Sequence, residues 1–544
     1  MKFNGTRVLC VVLLCALFAS FPAMVRGKSD DGKPVATSFQ TSDRCMACHN
    51  GLSTSSGEDI SIGFQWRASI MANSSRDPYW QGSVRRESMD HPESQAAIED
   101  ECSNCHMPAS HLADRDAGKK TQIFAHLPLE SAPKGDRAAA DGVSCSVCHQ
   151  VAKTGLGTPS TFNGNVDIAK ALKEDLREEY GPYDIDAGHQ RIMQSSTGGY
   201  IPVHGDHIRD AGLCGSCHTL YTDALGPHGE KIARFPEQMP FKEWQHSDYA
   251  AKETCQSCHM PVVKEPVAVT VLYGQPREDV HRHVFVGGNF IMEGMLQDHR
   301  QDLATEALPQ ELDAATKRTT EFLQTEAAKV TIRAIRPQPG ALAVDVFVQN
   351  LSGHKLPTAY PSRRAWLHVT VRDGSGHTVF ESGALNANGS IVGNHNDEDP
   401  LRFEPHYREI TSPQQVEIYE PILGDQQGKV TTGLLHAVNY LKDNRLLPTG
   451  FDKKTADKDI MVVGDAADDP GFTDQGSAVR YVISTTNAVG PFHVEAELMY
   501  QPIGFRWAHN LETYQAKEPQ RMVQYYEQAA QKSALVLAKA EATQ

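Results

Sequence analysis

Two kinds of patterning divide the chain. From Leu342 onward apolar and polar residues alternate, with Leu342, Val344, Val346 and Val348 on one face and Ala343, Asp345, Phe347 and Gln349 on the other. A period of two marks a half-buried β-strand. The run "AWLHVTVRDGSGHTVFESG" sets the turn residues Asp373-Gly374-Ser375-Gly376 between two apolar stretches and predicts a hairpin. A late run, "PFHVEAELMY", alternates again. Together these predict a β-sandwich-like domain over residues 330–510. Before residue 300 there is little sustained period. One helix is predicted at Val166–Tyr180, where Ile168, Leu172 and Leu176 recur every fourth position before Gly181-Pro182. Leu312, Ala315, Phe322 and Leu323 predict an amphipathic helix from Pro309 to Lys329, within a connecting segment of residues 301–329. Met522, Tyr525, Tyr526 and Ala529 predict another from Pro519 to Lys539, in a helical tail spanning residues 511–544.

The weakly patterned first half carries the chemistry. The motif C-x-x-C-H occurs five times, at Cys45/Cys48/His49, Cys102/Cys105/His106, Cys145/Cys148/His149, Cys214/Cys217/His218 and Cys255/Cys258/His259. It is the attachment signature of a c-type haem: the two thiols bond the porphyrin vinyl groups and the histidine becomes an axial iron ligand. The chain has 12 cysteines, and the two outside the motifs, Cys10 and Cys15, lie in the apolar N-terminal run. No thiol is left for a disulfide, and zinc ribbons would pair C-x-x-C units at closer spacing. Five porphyrins would supply the apolar core that residues 28–300 lack in their own pattern. The expected class is therefore α+β: an N-terminal multihaem domain of short helices and loops packed around five covalent haems, then a β-sandwich-like domain and a C-terminal helix.

The N-terminus agrees with this chemistry. Lys2 and Arg7 precede an apolar run from Val8 to Val25, and Val25-Arg26-Gly27 is an acceptable cleavage site, so residues 1–27 read as a signal peptide. Haem is attached to such motifs outside the plasma membrane, which predicts a periplasmic or extracytoplasmic protein; an uncleaved membrane anchor is the less favoured outcome. The net charge of −16 opposes nucleic-acid binding and suits redox partner proteins with basic docking faces, such as a membrane respiratory complex or another cytochrome.

An iron's sixth position decides between a carrier and an enzyme. Of 24 histidines, five follow the motif thiols and eleven others precede residue 300, enough for five further ligands. Position favours His91, eleven residues before the second motif, His126 between the second and third, His189, His207 before the fourth, and His283 in "HRHVFVGGNF". His204 rivals His207, and His281 rivals His283. No histidine lies between His49 and His91; there "FQWRASIMANSSRDPYW" offers Met71, Trp66, Arg67, Arg76 and Tyr79. Met71 reads as a core methionine or as a thioether ligand. A distant histidine crosses to the first iron, or that site is open.

The flanks "LCGSCHTLYTDALGPHGEKIARFPEQMPFKEWQHSDYAAKETCQSCHMP", "ECSNCHMP" and "DGVSCSVCHQV" resemble the multihaem cytochrome c family typified by the tetrahaem acceptor of electrons from hydroxylamine oxidoreductase. The resemblance spans roughly residues 40–300. It implies a periplasmic carrier with closely packed, mostly bis-histidine haems and sometimes one high-spin haem; five motifs rather than four depart from its pattern. "VQNLSGHKLPTAYPSRRAWLHVTV" resembles a β-domain attached to many multihaem cytochromes. There His354 either reaches a haem, with Arg363 and Arg364 pairing propionates, or belongs to a loop capping the sandwich. "NHNDEDP" reads as a solvated turn or a calcium loop. The leading function is respiratory electron transport through haem iron. The alternative is a multihaem oxidoreductase acting on nitrite, hydroxylamine or a sulfur oxyanion at an open haem, although no C-x-x-C-K motif occurs. A third is that the β-domain serves as a docking module.

Overall fold

The computed structural model describes residues 39–129, 137–172 and 176–544. The expected signal peptide, Cys10 and Cys15 lie outside them.

The alternating strands fold as their period dictates. Ala341–Asn350 sits between Ala328–Gln338 and Gly476–Ser484, with antiparallel pairing on both sides. Leu342, Val344, Val346 and Val348 are buried, while Asp345, Phe347 and Gln349 are partly exposed. The facing sheet runs in the order Ile418–Tyr419, Arg364–Arg372, His493–Gln501, Leu535–Thr543, with Thr378–Ser382 hairpinned onto Arg364–Arg372. Its inward residues Leu367, Val369, Val371, Val494, Ala496 and Leu498 join the first sheet's valines in one apolar core. This is the sandwich, built by the burial of two matched faces.

Two predicted elements are corrected. Val166–Tyr180 is not a helix in its described residues: Ile168 makes a bridge to Val151, and Arg177–Gly181 is a strand paired in parallel with Tyr200–His204. Residues 173–175 of that stretch lie outside the described set. The tail is helical only over Lys517–Ala529; Leu535–Thr543 is a strand beside His493–Gln501. The sequence "LVLAKAEAT" is rich in helix-forming Ala and Lys, but an open sheet edge offers it a ladder of backbone hydrogen bonds, and tertiary pairing outweighs intrinsic propensity.

The predicted connecting helix forms at Pro309–Glu326 and buries Leu312, Ala315 and Leu323. With Phe290–Asp298 and Lys517–Ala529 it makes a helical layer whose core includes Met292, Leu296, Leu312, Met522 and Tyr526, together with Tyr79 from the motif-bearing half. Lys517–Ala529 lies on Pro78–Asp90, tied by Arg85 to Glu518 at 2.8 and 3.1 Å. Gly82 permits that approach, since a Cβ there would meet the Pro519 Cα at 3.3 Å.

The first half has no comparable core. Its apolar side chains gather in small separate groups, such as Leu52, Ile60, Val263, Val267 and Val280, or Phe162, Ala211 and Phe241. Short helices, two two-stranded ribbons and long loops connect them. Residues Phe39–Gln544 pack as one unit. Among the described residues no helix is long and apolar enough to cross a membrane.

Candidate functional site

Each motif begins on a short helix: Asp43–Met46, Gln95–His106, Cys145–Cys148, Ala211–Cys217 and Cys255–His259. One helical turn places residues three apart on one face, so paired cysteines point the same way with the histidine just behind. Local capping starts three of these turns. The Asp210 carboxylate accepts the Gly212 N–H at 2.7 Å, Ser144 caps Val147, and Thr254 and Ser257 cap each other reciprocally.

The first motif departs from this helical placement at its second thiol. Its helix ends at Met46, so Cys48 lies in the turn that follows, where its N–H donates to the Cys45 carbonyl at 3.1 Å. The Cys48 carbonyl accepts the Val271 N–H at 3.0 Å, which ties that turn to the loop after the fifth motif. Cys48 is half-buried, and the contact with another motif is made by Cys45 instead. A bond three residues back still keeps Cys48 within one turn of Cys45, so the pair retains the spacing that haem attachment needs.

None of the ten motif cysteines is in a disulfide. Thiols from different motifs lie near enough to influence one another: Cys45 and Cys145, Cys105 and Cys217, and Cys214 and Cys255. Cys148 lies in the field of Cys217, and burial pushes its thiol up to about 12. The five motifs therefore form one contiguous series, first to third to fourth, with the second and fifth both against the fourth. Around the second motif, burial and then the carboxylates of Glu101, Glu237, Glu87 and Glu99 push Cys102 well above the ordinary thiol range. At the fifth, burial also raises Cys258.

Four of the five motif histidines share a second feature. Nδ1–H of His49 donates to the Val269 carbonyl at 2.6 Å, that of His106 to Ser74 at 2.9 Å, that of His149 to Tyr180 at 2.6 Å and that of His259 to Val286 at 2.6 Å. A carbonyl can only accept, so Nδ1 carries the proton and Nε2 keeps its lone pair, the arrangement of a metal-ligating imidazole. Burial also holds the motif rings neutral, pushing His106 and His218 down to about 4.

Two motif imidazoles face another imidazole across a gap. His149 and His283 are 6.4 Å apart between ring centres and 17° from parallel; His259 and His354 are 6.2 Å apart and 10° from parallel. Rings stacked face to face lie closer, His299 on Tyr525 at 3.4 Å and Phe505 on His509 at 3.7 Å, whereas the offset pair Phe162 and Tyr221 lies 6.5 Å apart and 27° from parallel. An imidazole nitrogen binds a first-row metal at about 2 Å, and with the nitrogen-to-centre distance on each side the two ring centres fall about 6 Å apart. Both centre-to-centre separations match that spacing.

The other sequence-predicted histidines stand differently. His91 is buried with Nε2 unpartnered, 4.7 Å from the His436 ring and 41° from parallel to it. His126 is half-buried just after the turn Ile123–Ala125. His189 is bonded at Nδ1 to Asp186 and at Nε2 to the Tyr273 carbonyl, 3.2 Å away. His207 is buried and donates from Nε2 to the Val151 carbonyl at 2.9 Å, with its ring edge-on to Tyr180. The rival His204 is exposed between Asp184 and Asp206, and His281 donates from Nδ1 to the Met260 carbonyl at 2.6 Å.

Near the first motif, Met71 is half-buried and its carbonyl accepts the Val143 N–H at 3.0 Å, while Trp66 donates to the Val143 carbonyl at 2.9 Å. Arg67 pairs with Glu311, and Arg76 is buried against the Ala304 and Ala140 carbonyls, so both arginines are structural ties.

In the β-rich half, Arg364 cannot serve a propionate: it is buried and bidentate to Asp397, at 2.7 and 2.9 Å. That inward Asp397 also removes a carboxylate from the "NHNDEDP" turn. Burial chiefly lowers His218, His259 and His354, and the Arg363 charge near the fourth and fifth motifs adds to it. Sequence reasoning missed one constellation here, a buried cluster of Lys355, Asp443, Arg445 and Glu243. Lys355 Nζ donates to Asp443 at 2.7 Å, and Arg445 reaches Asp443 at 2.7 Å and Glu243 at 2.9 Å. Burial raises Asp443, but the Arg445 and Lys355 charges outweigh it and hold the carboxyl far below its ordinary range. These residues are separated in the chain and sit in no motif, so only the fold brings them together.

The donor set fits a covalently attached haem: paired thiols within one turn and a histidine with its tautomer fixed. Cys217 and His218 are accessible, yet desolvation depresses His218. A group both accessible and desolvated lines interior space. Among solved structures, this chain matches a penta-heme cytochrome c552 from Thermochromatium tepidum with a TM-score of 0.52 and 16% identity, covering 94% of this chain and 100% of that one. The chain shares that protein's fold. The coverage is too broad to be confined to the motif-bearing half. No protein-family model and no curated protein matches the sequence.

Proposed function

We propose that this chain is an exported pentahaem c-type cytochrome that relays electrons between redox partner proteins. The proximity of its five motifs carries the reading: the first lies near the third, and the second and fifth near the fourth, as a relay requires and as separate sites would not. Haem c supplies one-electron exchange between ferric and ferrous iron. The chain's residues do the rest. Carbonyls of Val269, Ser74, Tyr180 and Val286 orient the imidazoles and raise their basicity. His149 and His283 would hold the third motif's iron together, and the first, second and fourth motifs would draw a further ligand from His91, His126 and His207, or from His189 once released from Asp186 and the Tyr273 carbonyl. Carboxylates around Cys102 favour the oxidised form at the second motif.

The test uses full-length protein matured with haem-attachment machinery. Intact mass is expected to show five haems, and a spectroelectrochemical titration several overlapping one-electron waves with a wholly low-spin paramagnetic resonance spectrum. A mass without haem sinks the reading. A high-spin signal together with turnover of nitrite, hydroxylamine or a sulfur oxyanion would make the protein an open-site oxidoreductase instead.

A further inference from the structure

We propose that His354, contributed by the β-rich half, is the sixth ligand of the iron at the fifth motif, so that this one haem is held by both halves of the chain. The inference rests on the reading that the fifth motif carries haem. Its first support is the gap itself. Rings this far apart can also be an offset contact, as Phe162 and Tyr221 are at 6.5 Å and 27° from parallel. His354 and His259 stand closer to parallel, at 6.2 Å, the spacing that His149 and His283 also adopt.

The tautomer is the second support. His354 Nδ1–H donates to the Lys355 carbonyl at 2.9 Å, as His259 Nδ1–H donates to Val286. Each ring keeps the lone pair on Nε2. No rival is better placed: His283 is opposite His149, and the Lys355 amine is committed to Asp443.

The third is how firmly the loop is held, and from which sides. Asn350 donates to the His354 carbonyl at 2.7 Å and to the Leu446 carbonyl at 3.0 Å, both within the β-rich half. From the motif-bearing half, Ser247 donates to the Gly353 carbonyl at 3.0 Å, Tyr249 to the Leu351 carbonyl at 2.7 Å, and Glu243 accepts the Lys355 N–H at 3.2 Å. Gly353 eases that approach, because a Cβ would come within 3.2 Å of the Tyr249 Cβ. The buried charges of Lys355, Asp443, Arg445 and Glu243 then lock the segment immediately after His354. A ligand must be preorganised by its surroundings, and this loop is clamped from both halves.

The experiment compares wild type, His354→Ala, His354→Met and His283→Ala as full-length holoprotein, by intact mass and low-temperature paramagnetic resonance. Thioether attachment does not depend on the sixth ligand, so each variant is expected to carry the same haem count. His354→Ala should gain a high-spin signal equal to one haem, abolished by added imidazole, and His283→Ala a separate one. His354→Met should stay low-spin with that haem's potential raised. Imidazole rescue and the methionine variant distinguish lost ligation from lost folding. An unchanged low-spin spectrum in His354→Ala, with every haem present, overturns the ligand assignment alone. Wild type without haem at the fifth motif overturns the proposed function and the ligand with it.

Discussion

The sandwich and the motif-bearing half solve the same problem with different materials. In the sandwich, Leu342, Val344, Val346 and Val348 meet Leu367, Val369, Val494 and Leu498 in one continuous apolar core supplied wholly by side chains. In residues 39–300 the apolar groups are small and scattered, and between them lie thiols, neutral imidazoles and buried carboxylates such as Glu179 and Glu237. A protein interior is close-packed, so a region with so little apolar side chain needs another filler. On the proposed function the first half is a shell around its cofactor, whereas the sandwich fills its own core.

The largest expected effect breaks that contrast directly. Full-length chain made without haem-attachment machinery should be cut by protease first within residues 39–300, while the strands between 328 and 543 persist as a resistant, antiparallel-β fragment. Equal susceptibility of both halves would mean that the sandwich also depends on the cofactor.

A smaller effect tests the seam. Lys355→Met leaves Asp443 buried beside Arg445 without its second cation, and removing one partner of a buried ion pair costs about 3 kcal/mol or more. Denaturant unfolding of the holoprotein should show that loss in the transition that includes the sandwich. Leu498→Ala, in the centre of the core, should cost about 3 kcal/mol by cavity formation. A loss near zero at Leu498 would show that the sheets repack, contrary to a tight side-chain core.

The same contrast explains what could be read in advance. The sandwich was legible because its order is local: period two assigns Leu342 and Val346 to the interior without knowledge of any partner. The five motifs were legible because haem attachment demands C-x-x-C-H within one turn of chain, a spacing that Cys45 and Cys48 keep even where the helix stops between them. Leu535–Thr543 was illegible, since its strand state comes from an edge that His493–Gln501 leaves open. Arg177–Gly181 was misread for the same reason, its partner being the distant Tyr200–His204. His354 stood in view as a loop residue with two readings, yet its position opposite His259 depends on ties to Asn350, Glu243, Ser247 and Tyr249 that no spacing encodes. Between propionate pairing and a capping loop, sequence leaves Arg364 open, because its mate Asp397 lies in a turn whose inward orientation has no signature.

The finest test concerns Glu293, on the helix Phe290–Asp298 between the two halves. Thr319 donates to its Oε1 at 2.8 Å, Oε2 is buried without a partner, and burial raises the carboxyl from 4.5 to about 7. A carboxyl raised in the folded state binds its proton more tightly there than in the unfolded chain. Its contribution to stability is therefore complete below 4.5 and is lost as pH rises through about 7, where the folded state must either keep the proton or bury a charge. Glu293→Gln keeps the acceptor for Thr319 and cannot ionise. It should be nearly neutral in unfolding free energy near pH 5 and stabilising by roughly 1–2 kcal/mol near pH 8. A pH-independent difference would mean that Glu293 stays charged through the range, with a cationic partner reaching it across the seam. The two halves would then be joined at that point by an ion pair instead of by an uncharged hydrogen bond.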